Sequence, residues 1–316
     1  MRKNKLLALF AAMVLVVFCL AGCGSSGNTE NEEVSYTMDN WTKNVVELDT
    51  GINMCYYEVG PEDGNPLVLL HGVTDAAVSW EQVAPILAED GNHCYIMEYR
   101  GNGSTDDPDN LPEGYTAGMI ADDVLNLMDK IGLEKTDIAG HSYGSLIIQE
   151  LAVKAPERFD SLTLIDSAVD CTENEVLLWA KDGTGDDSYD GVFGYEDAMP
   201  EAFLEDWAAT DNEDEQFRED VLNNVKSMSM TSWQNLMTGL CQFNSEDIIG
   251  KITGPVLVIW GTEDSIFPQE DQDELKAGLA NADAEFVEVE GSHNIYWDSK
   301  ENAAKVADLI NNFANK

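Results

Sequence analysis

The chain has 316 residues, 60 of them acidic and 17 basic, for a formal net charge of −43 at pH 7. Nucleic acid and anionic phospholipid headgroups are poor partners for such a surface, because both are gripped by clustered Lys and Arg. Hydrophobic residues make up 44% of the chain, too many for a disordered acidic tail and enough for one large domain with an insertion.

Residues 1–22 read as an export signal. A basic head, "MRKNK", precedes the apolar segment "LLALFAAMVLVVFCL", which "LAGC" closes at Cys23. A membrane-spanning anchor is the competing reading, since the apolar run approaches the minimum span. Small residues before Cys23 and the polar tract "GSSGNTENEE" after it favour cleavage. Leu20-Ala21-Gly22-Cys23 resembles the lipobox of bacterial lipoproteins. That resemblance implies lipidation of Cys23, loss of residues 1–22 and a flexible tether over 23–40. The mature protein is then extracytoplasmic and lipid-anchored to the cell membrane. Cys55, Cys94, Cys171 and Cys241 lack the close pairs of a zinc site, and no metal is expected. Cys171 and Cys241 bracket an acidic stretch, where either a disulfide or two buried thiols would suit an exported protein.

Beyond the tether, "INMCYYEV" (52–59) reads as an early strand. "PLVLL" (66–70) is a continuous apolar run of the kind buried in a parallel sheet. "VSWEQVAPILAEDG" (78–91) predicts an amphipathic helix, "CYIMEY" (94–99) a strand and "MIADDVLNLMDKIG" (119–132) a helix. "TDIAG" (136–140) leads into Ser142, and "SLIIQELAVKAPERF" (145–159) reads as helical. "LTLID" (162–166), "PVLVIW" (255–260) and "AEFVEVEG" (284–291) repeat the strand signature, and "ENAAKVADLINNFA" (301–314) is a last helix. The alternation predicts an α/β fold, a mostly parallel central sheet flanked by helices.

Residues 169–250 break that rhythm. From Asp170 to Asp220 there are 18 acidic residues against two basic ones, interrupted by Trp179, Phe193, Tyr195, Phe203 and Trp207. The segment must leave the sheet and return, which predicts a mainly helical acidic cap between core residues 41–168 and 251–316. A solvated excursion with no role in binding would not need those aromatic residues.

"DIAGHSYGSLIIQ" (137–149) places Ser142 between two glycines, where a strand turns into a helix. A sharp turn there brings backbone close at Gly140 and Gly144, and loops at the carboxyl edge of such a sheet gather reactive groups. A serine nucleophile needs a base. Of four histidines, His141 sits within the turn and is expected to point away, His71 is expected to shape a loop, and His93 begins a strand. His293 follows the last predicted strand at the correct edge. For the carboxylate that orients it, Asp264 in "GTEDSIFP" is the first choice and Asp166 in "LTLIDSA" the reserve. The N–H groups of Tyr143, after the serine, and Val73, after "LLHG", are candidates for an oxyanion hole.

Residues 52–168 and 251–314 resemble the capped form of the α/β-hydrolase superfamily. The likeness rests on "HGV", "EYRGNGSTDDP", "GHSYG", "GTEDSIFP" and "GSHNIYW" in that order. It implies Ser142 as nucleophile, His293 as general base, Asp264 as its orienter, and Val73 with Tyr143 as the oxyanion hole, without a cofactor. Glu98-Tyr99 stands before Arg100 where the superfamily often has Asp, a difference in a structural turn. Relatives that open halides or epoxides place an aspartate at the serine position, which disfavours those activities. The reading is a serine hydrolase acting on a small or medium-sized carboxylic ester. Other acyl or C–C bond hydrolases of this fold stay open: lactonase, thioesterase, β-diketone hydrolase and proline iminopeptidase-like. So does a non-catalytic ligand-binding lipoprotein. Oligomeric state is not legible.

Overall fold

The computed structural model describes residues 37–108, 111–184 and 189–316. The expected signal peptide and Cys23 lie outside the described residues. The last three residues of the expected tether, Met38–Asn40, form a 3-10 turn, and Trp41 after it is buried.

Eight strands form one sheet: β1 (Thr42–Glu47), β2 (Asn53–Val59), β3 (Asn65–Leu70), β4 (Asn92–Glu98), β5 (Thr136–His141), β6 (Phe159–Ile165), β7 (Pro255–Gly261) and β8 (Asp283–Val289). Their spatial order is β1-β2-β4-β3-β5-β6-β7-β8. The pairs β1/β2 and β2/β4 are antiparallel, and every other pair is parallel. The α/β fold with a mostly parallel sheet is therefore as expected. β1 is an addition, because its sequence, "TKNVVE", is polar on an exposed edge and carries little apolar signal.

Alternation along the central strands sends residues to opposite faces. Val68, Leu70 and Met97 join the apolar layer under α2 (Ala117–Ile131) and α3 (Tyr143–Lys154). Leu67, Leu69 and Ile96 face the layer under α1 (Ala84–Glu89) and α10 (Lys300–Ala314). Both faces being covered explains why "PLVLL" is apolar throughout. Local signals bound the helices: Thr116 caps α2 by accepting from the Met119 N–H, and Gly132 ends it at φ 74°.

Two expected elements are cut by proline. The helix foreseen over 78–91 is a 3-10 turn, Ala77–Trp80, followed by α1, which starts with Pro85 in its first turn. The helix foreseen to Phe159 stops at Lys154 before Pro156, and β6 begins at Phe159. Glu98 shows what stands in place of the superfamily's usual Asp. One carboxylate oxygen accepts from the Ala77 N–H (3.1 Å) and the other from the Ser104 N–H (2.8 Å), joining two loops.

Between β6 and β7 the chain runs through α4 (Glu175–Asp182), α5 (Glu201–Trp207), α6 (Glu215–Ser227), α7 (Met230–Leu240) and α8 (Glu246–Ile249). Tyr189 stacks on Phe203 with ring centroids 4.8 Å apart, and Phe203 stacks on Trp207 at 5.5 Å, so the aromatic residues form this segment's own core. Cys171 and Cys241 are free, buried thiols. Backbone pairing closes the base of the excursion instead, with the Cys171 N–H donating to Phe243 O and the Ser245 N–H to Val169 O. After β7, α9 (Gln269–Gly278) is a polar helix that the apolar pattern does not announce.

Candidate active site

Ser142 stands at the turn from β5 to α3 with φ 49°, a conformation costly for a residue bearing a Cβ. Its N–H donates to Ile165 O at 2.9 Å, tying the turn to β6. A Cβ at Gly140 would lie 2.6 Å from the Gly144 carbonyl carbon, and one at Gly144 would lie 2.5 Å from Leu70 O. Both glycines are thus required by close backbone approach.

The serine hydroxyl donates to His293 Nε2 at 2.9 Å, and His293 Nδ1–H donates to Asp264 Oδ2 at 2.8 Å. The other Asp264 oxygen accepts from the Ile266 and Phe267 N–H groups at 2.8 and 2.9 Å. Burial alone would raise the Asp264 pKa, but the facing imidazole and these donors outweigh it, and the pKa is lowered. The carboxylate is therefore charged and fixed, and His293 is held with Nε2 free to accept a proton.

Asp166 is brought near without joining this chain of contacts. It also has φ 49°, one oxygen accepts from the Gly261 N–H at 2.7 Å, and the other lies 3.9 Å from His141 Nε2. Burial, then the charge of Asp264, pushes its pKa well above the usual carboxylate range. It makes no hydrogen bond to the His293 ring, whose two nitrogens are taken by Asp264 and Ser142.

His141 does not simply point away as expected. Its Nε2–H donates to the carbonyl of His293 at 2.8 Å, buttressing the loop that carries the base. Burial, with the neighbouring His293, depresses its pKa to about 3, so the ring is neutral. No periodicity signals such a bond across 152 residues of chain. His71 shapes its loop: Nδ1–H donates to Gly72 O at 2.8 Å, and the Tyr99 hydroxyl donates to the same oxygen at 2.6 Å. A trans amide directs its N–H opposite its C=O, so these bonds aim the Val73 N–H away from the core. That N–H takes no partner among the described residues. Tyr143 opens α3, and its N–H has no partner within the helix.

A cavity of about 70 Å³ reaches Ser142 and His293. Leu177, Trp207 and Val225 close it from the segment between β6 and β7, and Ile266 and Trp297 from the core. Asp75 also lines it, with burial pushing its pKa up to about 8. Among the described residues no group of three or more His, Cys, Asp or Glu is arranged to hold a metal ion.

Comparison with known proteins gives the same architecture. Residues 65–300 match the family described as the alpha/beta hydrolase fold. RutD of Variovorax paradoxus strain S110, provisionally named a carbamate hydrolase, is 26% identical over 245 residues, 73% of this chain and 86% of its own. Epoxide hydrolase A of Mycobacterium tuberculosis is 32% identical over 108 residues, 34% of this chain and 33% of its own. Among solved structures, the enol-lactonase from Burkholderia xenovorans LB400 superposes with a TM-score of 0.67 at 19% identity, covering 86% of this chain and 100% of its own.

Proposed function

The chain belongs to the α/β-hydrolase fold family and is a hydrolase; from that premise we propose that it cleaves small or medium-sized carboxylic esters through an acyl-enzyme on Ser142. The observation that carries the reading is the unbroken series Ser142 Oγ, His293 Nε2, His293 Nδ1, Asp264 Oδ2, with contacts of 2.9 and 2.8 Å. The Ser142 oxygen attacks the ester carbonyl carbon while its proton passes to His293 Nε2. Charge gathering on the carbonyl oxygen is met by the N–H groups of Val73 and Tyr143. His293 then protonates the departing alkoxide, and water attacks the acyl-enzyme by the reverse sequence. Asp264 holds the tautomer and favours the imidazolium without taking the proton.

A cavity of about 70 Å³ suits a group of a few heavy atoms, since one water occupies roughly 10–15 Å³ on the same scale. Its largely apolar wall favours an uncharged acyl or alcohol portion. Serine rather than aspartate at position 142 weighs against epoxide opening, despite the partial likeness to an epoxide hydrolase. Carbamates and lactones present the same carbonyl to the serine and belong in the substrate panel beside simple esters.

The decisive experiment is fluorophosphonate labelling of the wild type, Ser142→Ala and His293→Ala, followed by the panel. Labelling that requires both residues, with hydrolysis of short esters, is expected. A folded wild type that neither labels nor turns over any panel member would favour a ligand-binding protein. We further propose that Cys23 carries the lipid anchor. Cys23→Ser should then release the protein from the membrane fraction, and undiminished membrane retention would overturn that assignment.

A further inference from the structure

The loop that presents the Val73 N–H is held from two sides. On one side, core groups hold the Gly72 carbonyl, as described. On the other stands Thr74, a fully buried β-branched residue at φ 62°, where such side chains rarely sit. Its hydroxyl donates to Val73 O at 2.5 Å and accepts from the Trp207 indole N–H at 2.8 Å. Its carbonyl accepts from the Asn224 side-chain N–H at 2.9 Å. Among the described residues no other hydrogen bond reaches Thr74. A turn hydrogen bond from the Asp75 N–H to Gly72 O (3.3 Å) spans Val73 and Thr74, and two side chains from α5 and α6 grip Thr74 itself from above.

We propose that Trp207 and Asn224 are positioning residues for the oxyanion hole: by clamping Thr74 they hold the Val73 N–H where charge develops on the substrate carbonyl. The proposal rests on the serine-hydrolase reading of the site. Thr74 relaxing toward negative φ would turn the 73–74 and 74–75 peptides, and the compensating rotation at Val73 would shift the donor off its target. Trp207 has a second face in this. Its ring lines the cavity over Ser142, with Val225, the neighbour of Asn224, beside it. A substrate filling the cavity thus presses on the same side chain that holds the loop, so occupancy and oxyanion-hole geometry are coupled. The acidic segment then does more than cover the pocket.

The test uses the full-length protein and p-nitrophenyl acetate, with the rate of fluorophosphonate labelling at Ser142 followed in parallel. Trp207→Phe keeps an aromatic ring and removes the indole N–H, Asn224→Ala removes the donor to the Thr74 carbonyl, and Thr74→Val removes the hydroxyl that accepts from Trp207. Each is expected to lower kcat on the order of tenfold or more with KM changed less than about threefold, within the 10²- to 10³-fold loss of an entire oxyanion donor. Thr74→Ser restores the hydroxyl and should recover most of the rate lost in Thr74→Val. Thermal melting identifies any variant that fails to fold, in which case the Thr74→Val and Thr74→Ser pair carries the comparison. Variants that raise KM while leaving kcat intact, or a Thr74→Ser as slow as Thr74→Val, would overturn the clamp and leave the serine reading standing. A folded wild type that does not label at Ser142 would remove that reading, and the clamp with it.

Discussion

Two carboxylates compete on paper to orient His293, and hydrogen-bond partners separate them. Asp264 touches the ring and keeps its charge, while Asp166 spends one oxygen on the Gly261 N–H and has its pKa pushed up by burial and by Asp264 itself. Asp264→Asn should therefore lower kcat by about 10⁴, since the amide stabilises the wrong imidazole tautomer. Asp166→Asn should leave it within a few-fold, and steady-state kinetics on one ester distinguishes the two. A large loss in Asp166→Asn alone would reassign the acid. Asp75 carries a pH prediction. Its folded pKa, pushed up to about 8 by burial, exceeds the unfolded value near 3.9. Between about pH 4 and pH 8 the unfolded chain releases a proton that the folded one keeps, so stability falls as pH rises through that window. Tyr99 and Tyr296, whose pKa values burial and then Asp75 raise, stay neutral throughout that window. In Asp75→Asn the Gly72 N–H keeps an acceptor, and the fall in melting temperature between pH 5 and pH 8 should shrink. An unchanged fall would assign it to other acids, such as the half-buried Glu81, whose pKa partial burial raises to about 7.

At the scale of elements, the site depends on how closely three pieces of backbone meet. β5, the turn and α3 pack so tightly that Gly140 faces Gly144 and Gly144 faces the end of β3. Gly144→Ala should cost about 1–3 kcal/mol of stability, because the new methyl meets backbone oxygens that cannot move aside as a side chain could. Denaturant unfolding measures it, and a change below about 0.5 kcal/mol would show that β3 can yield. Local chemistry also overrides the apolar spacing in three helices. Pro85 and Pro156 broke helices that the apolar spacing would have continued, and α9 carried too few apolar residues to be noticed.

For the whole molecule, the net charge of −43 is the dominant long-range term. Most of the acids are exposed, and their mutual repulsion weakens as the Debye length shrinks from about 10 Å at 0.1 M salt to about 3 Å at 1 M. The melting temperature should therefore rise with added NaCl. A flat response over that range would mean that the ion pairs, such as Lys130–Asp49 and Lys316–Glu285, already balance the repulsion locally. Legibility also divides at this scale. Short apolar runs announce strands because both faces of the sheet are covered, and the Gly-x-Ser-x-Gly turn announces itself because only glycine fits beside the bend. The position of His293 after the last strand follows from the way parallel strands deliver their loops to one edge. Those features are local, or follow from the order of elements, and the amino-acid sequence by itself determined them. Sequence order already favoured Asp264 over Asp166, but the hydrogen bond it makes to His293, the bond from His141 to His293 and the grip of Trp207 and Asn224 on Thr74 were decided only by the tertiary structure. Each joins residues 29 to 152 positions apart, and such meetings depend on strand register and on how the inserted helices settle over the sheet.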